Sequence, residues 1–524
     1  MPDNQHSFVI PDNQSISALV SLLQETFSVQ MQAETVYHRV FYDTFDWRLD
    51  KNGSALEVHD DGQTNRIYWR KDKDGQLKIQ LGVKKIPRLA VDLPAGAFRQ
   101  KLQSVIYVRE LYPRIKLRIK RQSLAVLDKN KKIVVRLNFD VYWYSPSKLH
   151  AARVLTRRLT IKAVKGYAKE YQRVEDFFLS MPLPIPLQTA QDNVMKLALI
   201  TMGVSTDEYT TRLNLRLDPE LPAEQVLKEI LFRLFEIMRQ NTAGCIKGRD
   251  TEFLHDYRVA IRKIRIALKQ INHLQPQAAS TADRNFFSAL GKLTNPVRDL
   301  DIFLYQLENY QPDFDASSWL QLQVLRDYLL LSRAEAQKKF VEELKSSRYR
   351  ETIKQWRDYL EHSDKENIAP DEPGKEVYKL SDELLLRYNQ KTLAQGKAIT
   401  RNSDADTMHE LRKTFKKLRY LMEFFRGLYP AGKKLRELIQ LLIAVQDDLG
   451  EFNDRYIQIG MVKAFIDQSN NEEAIKASEQ IIKILQQQQH EAGNRFKDSY
   501  AAYASSANQG TFKEMFVDYY GSKN

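Results

Sequence analysis

The chain reads as two folds in series: an α+β unit built on antiparallel strands, then an all-α half stated twice. Three observations predict this. Up to about residue 166, short segments alternate apolar and polar residues with turn signals between them. From residue 222 onward, apolar residues recur at helical spacing almost without a break. The third is a repeat: HDYRVAIRKIRIALKQI at 255–271 returns as HELRKTFKKLRYLMEFF at 409–425.

Taken in order, ISALVSLLQETF (16–27) has the apolar spacing of an amphipathic helix. PRIKLRIKR (113–121) alternates strictly: Arg114, Lys116, Arg118 and Lys120 face one way, Ile115, Leu117 and Ile119 the other. Turn signals at Asp128–Lys132 and at the Asp-Gly pairs 61–62 and 74–75 separate such runs, which gives an antiparallel sheet or barrel. A helix at 167–180 completes the α+β unit. The Pro-rich MPLPIPLQ (181–188), a short apolar helix at 192–203 and a polar segment ending at Pro219 and Pro222 follow. The domains are therefore expected at 1–203, 222–370 and 371–524, with a linker at 204–221. Within the helical half, helices are expected at 223–243, 252–273, 283–310, 316–362, 375–397, 406–427, 431–448, 451–468, 471–504 and 511–519, with the loop DKENIAPDEPGK (364–375) dividing it.

Composition narrows the function classes. The chain has 524 residues, with 80 Lys and Arg against 67 Asp and Glu, a net charge of +13. That balance supports polyanion affinity without choosing among nucleic acid, anionic lipid and polyphosphate. The lone cysteine, Cys245, cannot form an internal disulfide and points to a reducing compartment, the cytoplasm. No apolar run reaches the roughly 18 residues a bilayer span needs, so no membrane partner is expected. No P-loop, Gly-x-Ser-x-Gly, Rossmann fingerprint or metal-spaced Cys/His cluster is present, so neither cofactor nor metal is expected. Nothing in the sequence fixes an oligomeric state.

The repeat localises the charge. Aligning His255 with His409 matches Arg258 to Arg412, Arg262 to Lys416, Lys263 to Lys417 and Arg265 to Arg419. At about 100° per residue, the histidine and the positions three, seven and ten on fall within an arc of about 80°. Tyr257, Ile261, Ile264, Leu268 and Ile271, and likewise Leu411, Phe415, Leu418, Met422 and Phe425, fill the adjoining arc and face a core. A basic helix face is ordinarily solvated surface. Repulsion between like charges one turn apart costs a few tenths of a kcal/mol per pair, however, and stating it twice favours an anionic ligand. The anion-binding set is therefore His255, Arg258, Arg262, Lys263, Arg265 and Lys269 with His409, Arg412, Lys413, Lys416, Lys417, Arg419 and Tyr420. The two histidines read equally as structural hydrogen-bonding groups or as ligands that gain charge as pH falls from 7.5 to 6. Asp299 and Asp454 pair at nearly the same distance downstream, and Arg298 reads as a structural partner of Asp299 or Asp301.

These residues resemble the CHAD family, the conserved-histidine α-helical domain. The match is H255-x-x-R258-x-x-x-R262-K263-x-R265 with R298-D299, then H409-x-x-R412-x-x-x-K416-K417-x-R419-Y420 with LGEFND (449–454). In the first copy Thr294 and Asn295 replace the family's Leu-Gly turn. The resemblance covers about 222–524 and implies two pseudo-twofold-related four-helix bundles whose basic groove binds inorganic polyphosphate, with association to polyphosphate granules. A linear polyanion suits such a row through counterion release. Nucleic acid is the less favoured partner, because aromatic stacking platforms are not interleaved with the bases.

The strand-rich region, about 1–203, resembles the CYTH family of triphosphate tunnel enzymes through VFYDTFDWRLDKNGSALEV (40–58), LKIQLG (77–82), LNFD (137–140) and RLTIKAVKG (158–166). The resemblance implies an antiparallel tunnel-like barrel. It departs where chemistry is concerned. The family's opening Glu-x-Glu-x-Lys is HSFVIPD here, and its Leu-Arg-x-Arg is Leu56, Glu57, Val58, His59. Metal-carried triphosphate needs several carboxylate oxygens, so no catalytic residue is assigned and a binding protein is favoured over a CYTH-type triphosphatase or cyclase. Arg114, Lys116, Arg118 and Lys120 read either as a tunnel face that holds phosphate or as a solvated sheet face.

Overall fold

The computed structural model describes residues 5–60, 62, 65–71, 77–83, 86–145, 151–180, 194–207, 209–213, 215–274, 281–362, 375–400, 403–430, 432–516 and 518–521. Asp61, the Asp74–Gly75 pair, the Pro-rich 181–188 and loop residues 364–374 lie outside them. The chain divides into two compact units, Met1–Thr210 and Thr211–Asn524.

The first unit is an antiparallel sheet. Its strands are β1 (Gln5–Val9), β2 (Val29–Met31), β3 (Thr35–Asp43), β4 (Ser54–Asp60), β5 (Asn65–Lys71), β6 (Leu77–Val83), β7 (Tyr112–Leu127), β8 (Ile133–Tyr144) and β9 (Arg153–Ala163). Among the described residues nine strands run in the order β1-β9-β8-β7-β3-β4-β5-β6, with β2 on β7 beyond the end of β3. The ladder is open: no described pair joins β6 back to β1. Helices α1 (Ile16–Thr26), α2 (Arg48–Lys51), α3 (Ala97–Ile106), α4 (Ala168–Ser180) and α5 (Val194–Met202) complete it. Strand alternation decides what each face meets. Phe8, Leu124, Leu137 and Leu159 pack on Leu19, Leu23, Val174 and Phe178 of α1 and α4, and Leu56, Val58 and Ile67 pack on Phe98 and Leu102 of α3. On the opposite face Phe41, Ile115, Leu117, Ile119 and Tyr142 meet Val194, Met195, Ala198 and Leu199 of α5.

The second unit is helical and repeated: α6 (Ala223–Lys247), α7 (Thr251–Leu274), α8 (Thr281–Leu307), α9 (Ala316–Lys345) and α10 (Ser347–His362), then α11 (Val377–Lys397), α12 (Ala405–Phe425), α13 (Lys433–Ile466), α14 (Glu472–Ala504), α15 (Ser506–Phe516) and the short α16 (Asp518–Gly521). The 154 positions that separate His255 from His409 also separate the starts of α6 and α11, and of α7 and α12. Local twofold symmetry is written in two backbone bonds: Ala223 N–H donates to Lys375 O at 2.8 Å, and Val377 N–H donates to Leu221 O at 2.9 Å. The same shift of 154 exchanges one bond for the other. Each half has its own aromatic core, with Tyr257 on Phe340 at 5.6 Å and Phe415 on Tyr503 at 5.2 Å. Parts of α8, α9, α13 and α14 share a further core around Phe303, Leu325, Val462 and Ile481.

Two helix boundaries differ from expectation. The segment 316–362 breaks at Ser346, where extended backbone ends α9. Conversely, 431–448 and 451–468 are one helix, α13, with Leu449 buried and Gly450 inside the turn rather than at a break. Its first-copy counterpart, α8, also continues through Thr294, Asn295 and Pro296. Thr294 Oγ1 donates back to Gly291 O at 3.0 Å, the usual intrahelical outlet for a mid-helix threonine.

Candidate functional site

Helices α7 and α12 bring the two basic stripes together. Arg262 Nη1 donates to the Tyr420 hydroxyl at 3.2 Å, and Lys263 Nζ pairs with Glu423 at 2.8 Å, both across the two helices. Around this crossing Arg258 Nη2 donates to Asn295 Oδ1 at 2.8 Å and lies 4.0 Å from Asp299, while Arg412 lies 3.7 Å from Asp454. The two arginine–aspartate pairs are thus the same contact made once by each repeat.

The charges oppose one another strongly. Burial, joined by Arg262, Arg298 and Arg412, pushes Arg258 down to about 10. Burial and the charges of Arg262 and Arg412 hold Lys416 well below the ordinary lysine value. Arg412 and Arg265 are lowered as well, again by burial first and then by Arg262. Asp299 is raised by burial and by Asp454 in spite of Arg258 and Arg412. Beside this crowd is an open cleft of about 540 Å³, lined by Arg412, Lys416, Arg419 and Arg455 with Asp447, Glu451 and Asp454. The buried Nε atoms of Arg412 and Arg455 have no hydrogen-bond partner among the described residues, and that of Arg419 has only the ion pair with Glu423 at 3.4 Å. A buried donor left without an acceptor costs free energy, and the like charges around it add to that cost.

Two residues of the expected set do not belong to the accessible stripe. Lys263 is 5% exposed and neutralised by Glu423; Tyr420 is 1% exposed, its ring under Lys263 at 5.5 Å and Arg419 at 5.3 Å. Both lie on the side of the stripe that packs at the helix crossing, where a charge must be paired to be buried. The histidines part company. His409 Nδ1 lies 2.6 Å from Asn453 Oδ1 and donates to it, whereas His255 is exposed and held below the usual histidine value by local desolvation and by Arg298. Lys269, Arg265 and Lys413 are exposed, Lys413 in a pair with Glu410; Lys417 is half-buried. Asp301 is held by Arg333 at 2.9 Å with the charge of Arg298 also favouring its ionised form, and Arg258 lies against Asp299.

In the sheet unit, Lys116, Arg118 and Lys120 stand on the face away from α5 and Arg114 does not join them. Lys116 and Arg118 are exposed and Lys120 pairs with Glu34 at 2.8 Å, all opposite α5. Arg114 is a loop clamp, donating to Thr44 O at 2.8 Å and Phe45 O at 2.6 Å with its guanidinium over Trp47. Alternation separates the faces but does not say which is covered; here α5 takes Ile115, Leu117 and Ile119. The polar groups on the α5 side are others. Buried Glu57 accepts from Arg39 at 2.6 Å and Arg70 at 2.7 Å and meets His59 at 3.0 Å, and Asp140 takes both ends of Arg121 at 2.7 Å each. Burial alone would raise Glu57, but Arg39, His59 and Arg70 hold it well below the carboxylate range. Both carboxylates are thereby engaged by arginine. Among the described residues no group of three or more His, Cys, Asp or Glu is placed to hold a metal ion, and no helix is long and apolar enough to cross a membrane.

The twice-stated histidine–basic helix, its aspartate partners and the bundle around them match the CHAD domain family model over residues 229–463. This part of the chain is a CHAD domain. Among solved structures, the CHAD domain from the plant Ricinus communis is 24% identical, covering 57% of this chain and 94% of that one at a TM-score of 0.46. PptA from Streptomyces chartreusis is 13% identical, covering 53% and 99% at 0.42. The N-terminal part has neighbours in a putative adenylate cyclase from Bacillus halodurans, 15% identical over 36% of this chain and 97% of that one at 0.25, and in a putative adenylyl cyclase from Hippeastrum with a dominant triphosphatase activity, 14% identical over 38% and 96% at 0.27. Comparison with curated proteins finds no match.

Several residues of the CHAD site escaped sequence reasoning. Glu423, Arg455 and Lys391 lie outside the basic runs, and only contacts across helices bring them in. Glu57 and Arg39, on neighbouring strands, were legible only through register, since Arg39 faces His59 and Phe41 faces Glu57.

Proposed function

We propose that this chain binds inorganic polyphosphate through its CHAD domain and by that means associates with polyphosphate granules. The observation that carries the reading is the meeting of Arg258, Arg262, Arg412 and Lys416, drawn from both repeats, around Asp299 and Asp454. A chain of closely spaced phosphoryl groups relieves that repulsion and supplies acceptors for guanidinium groups whose hydrogen bonding is incomplete. Single-stranded nucleic acid fits less well, because the one aromatic within the stripe, Tyr420, is buried and offers no base a stacking face.

The test is binding of fluorescently labelled long-chain polyphosphate to the full-length protein at about 150 mM salt, a regime in which exposed charges are largely screened beyond about 8 Å. Submicromolar binding displaced by polyphosphate far better than by DNA or RNA is expected. Equal displacement by nucleic acid would reduce the stripes to generic charge and return attention to the sheet unit.

A further inference from the structure

The two repeats differ in charge at one place, and the difference is visible only when symmetry is applied to a contact. In the first repeat Lys263 of α7 is buried and paired with Glu423 of α12 at 2.8 Å, and Arg419 shares that glutamate at 3.4 Å. Moving each residue by the repeat distance turns this pair into Lys417 of α12 and Lys269 of α7. The glutamate has become a lysine. The residues flanking the pair change in the same direction: buried Ile237 on α6 corresponds to exposed Lys391 on α11, and half-buried Val259 on α7 corresponds to exposed Lys413 on α12. One half closes the position with an apolar neighbour and an ion pair. The other gathers Lys269, Lys391, Lys413 and Lys417, with Glu410, paired to Lys413, as the acid beside them. Burial, then the charges of Lys269, Lys391 and Lys413, push Lys417 below the ordinary lysine value, which places each of the three within electrostatic reach of Lys417.

Helix packing alone does not require this cluster, since the equivalent position in the first repeat is built without it and exposed Lys391 serves no core. We infer that Lys269, Lys391, Lys413 and Lys417 form a second phosphoryl-binding site, present in the second repeat alone, that takes the continuation of a polyphosphate chain held at the Arg258–Arg412 crossing. The inference rests on the polyphosphate reading above and adds a direction to it. Toward Glu423 the path is neutralised. Toward Lys391 it stays cationic, so a bound chain leaves the crossing on that side and short anions never reach the lysines. Discrimination by chain length follows from the lysine site, whereas capture of any polyphosphate follows from the arginines.

The experiment compares tripolyphosphate with long-chain polyphosphate on the full-length protein, using wild type, Lys391→Glu, Lys391→Ala, Arg412→Glu and, as a bulk-charge control, Lys338→Glu on the exposed side of α9. Lys391→Glu is expected to weaken long-chain binding on the order of tenfold and to reduce the salt slope by about one to two phosphate contacts. Lys391→Ala should do about half as much on a logarithmic scale. Tripolyphosphate binding should be unmoved in both and lost in Arg412→Glu. Unchanged long-chain affinity in Lys391→Glu would overturn the inference, as would equal losses for both ligands or an equal loss in Lys338→Glu. Wild-type protein that binds neither anion would instead remove the polyphosphate reading on which it stands. Because Lys391 is exposed, an unchanged melting temperature separates these outcomes from misfolding.

Discussion

Lys416 carries the clearest conflict between stability and binding. Its ammonium is desolvated beside Arg262 and Arg412, and its pKa lies well below that of a free lysine. For a base depressed by folding, the unfolded chain binds the proton more tightly, so the residue costs stability at all pH values below its folded pKa and ceases to do so only above the unfolded value near 10.4. Lys416→Met should therefore raise the melting temperature of the ligand-free protein, by about 2–4 °C for each kcal/mol of repulsion removed, while weakening polyphosphate binding. A fall in melting temperature, read by calorimetry without ligand, would mean that Asp454 already satisfies the lysine. The pH response is also a residue-scale matter. His255 sits below the usual histidine pKa because of desolvation and Arg298, with Glu252 and Asp256 opposing and Arg258 adding to the depression. Its positive charge thus arrives below about pH 6.5, and affinity should climb there rather than between 7.5 and 6.5. Asp299 moves in the same sense: its raised pKa means that acidification neutralises it and releases Arg258. Loss of the rise in His255→Gln assigns it to the imidazole, and loss in Asp299→Asn assigns it to the carboxyl.

At the scale of the element, the apolar spacing that predicts α7 and α12 is local and strong, and the buried faces named for them, Tyr257 through Ile271 and Leu411 through Phe425, are the buried faces found. Boundaries were harder to read where helices run on. Gly450 and the Pro296 segment carry turn chemistry, yet the packing of α13 and α8 on their neighbours overrides it. In the strands, alternation separated basic from apolar residues on β7 but left the covered face undecided, because α5 lies far along the sequence and its apolar run does not announce where it docks. Close helix approach was equally silent. A Cβ on Gly396 of α11 would fall 2.1 Å from the ring of Tyr500 on α14, whose hydroxyl donates to Leu393 O at 2.8 Å. Gly396→Ala must displace that ring and is expected to cost about 1–3 kcal/mol, the usual range for overpacking. Chemical denaturation measures it, and the cost should shrink in a Tyr500→Ala background; an equal cost in both would point to the backbone of α11 instead.

For the whole molecule, the two units treat buried charge differently. The CHAD domain leaves cations under-compensated at its helix crossing, whereas in the sheet unit the buried carboxylates are taken up by arginine: Glu57 lies among Arg39, His59 and Arg70, and Asp140 on Arg121. A carboxylate bound by two arginines has its oxygens committed and is a poor ligand for a divalent ion, and a guanidinium bound to a carboxylate is a poor acceptor of triphosphate charge. The full-length protein is therefore expected to release no phosphate from tripolyphosphate or nucleoside triphosphates with Mg²⁺ or Mn²⁺; turnover abolished by Arg121→Ala would show that these pairs open for substrate. The same pairs hold the unit together. Removing one partner of a buried ion cluster leaves the others uncompensated, so Glu57→Gln should cost about 3–5 kcal/mol. Because Glu57 titrates far below a free carboxylate, its contribution is full above about pH 4.3 and fades as pH falls toward the folded value. Arg258→Glu with Arg412→Glu is the complementary case. It should abolish polyphosphate binding and leave the helical signal intact, since the reversed charges meet the remaining cations Arg262, Arg298 and Lys416 as well as the acids Asp299 and Asp454. Denaturation followed through Trp69 and Trp143 in the sheet and Trp319 and Trp356 in the helices reads the two effects separately. A loss confined to the sheet signal in Glu57→Gln, with polyphosphate affinity unchanged, would establish that binding belongs to the CHAD domain and that the sheet's charges serve its own fold.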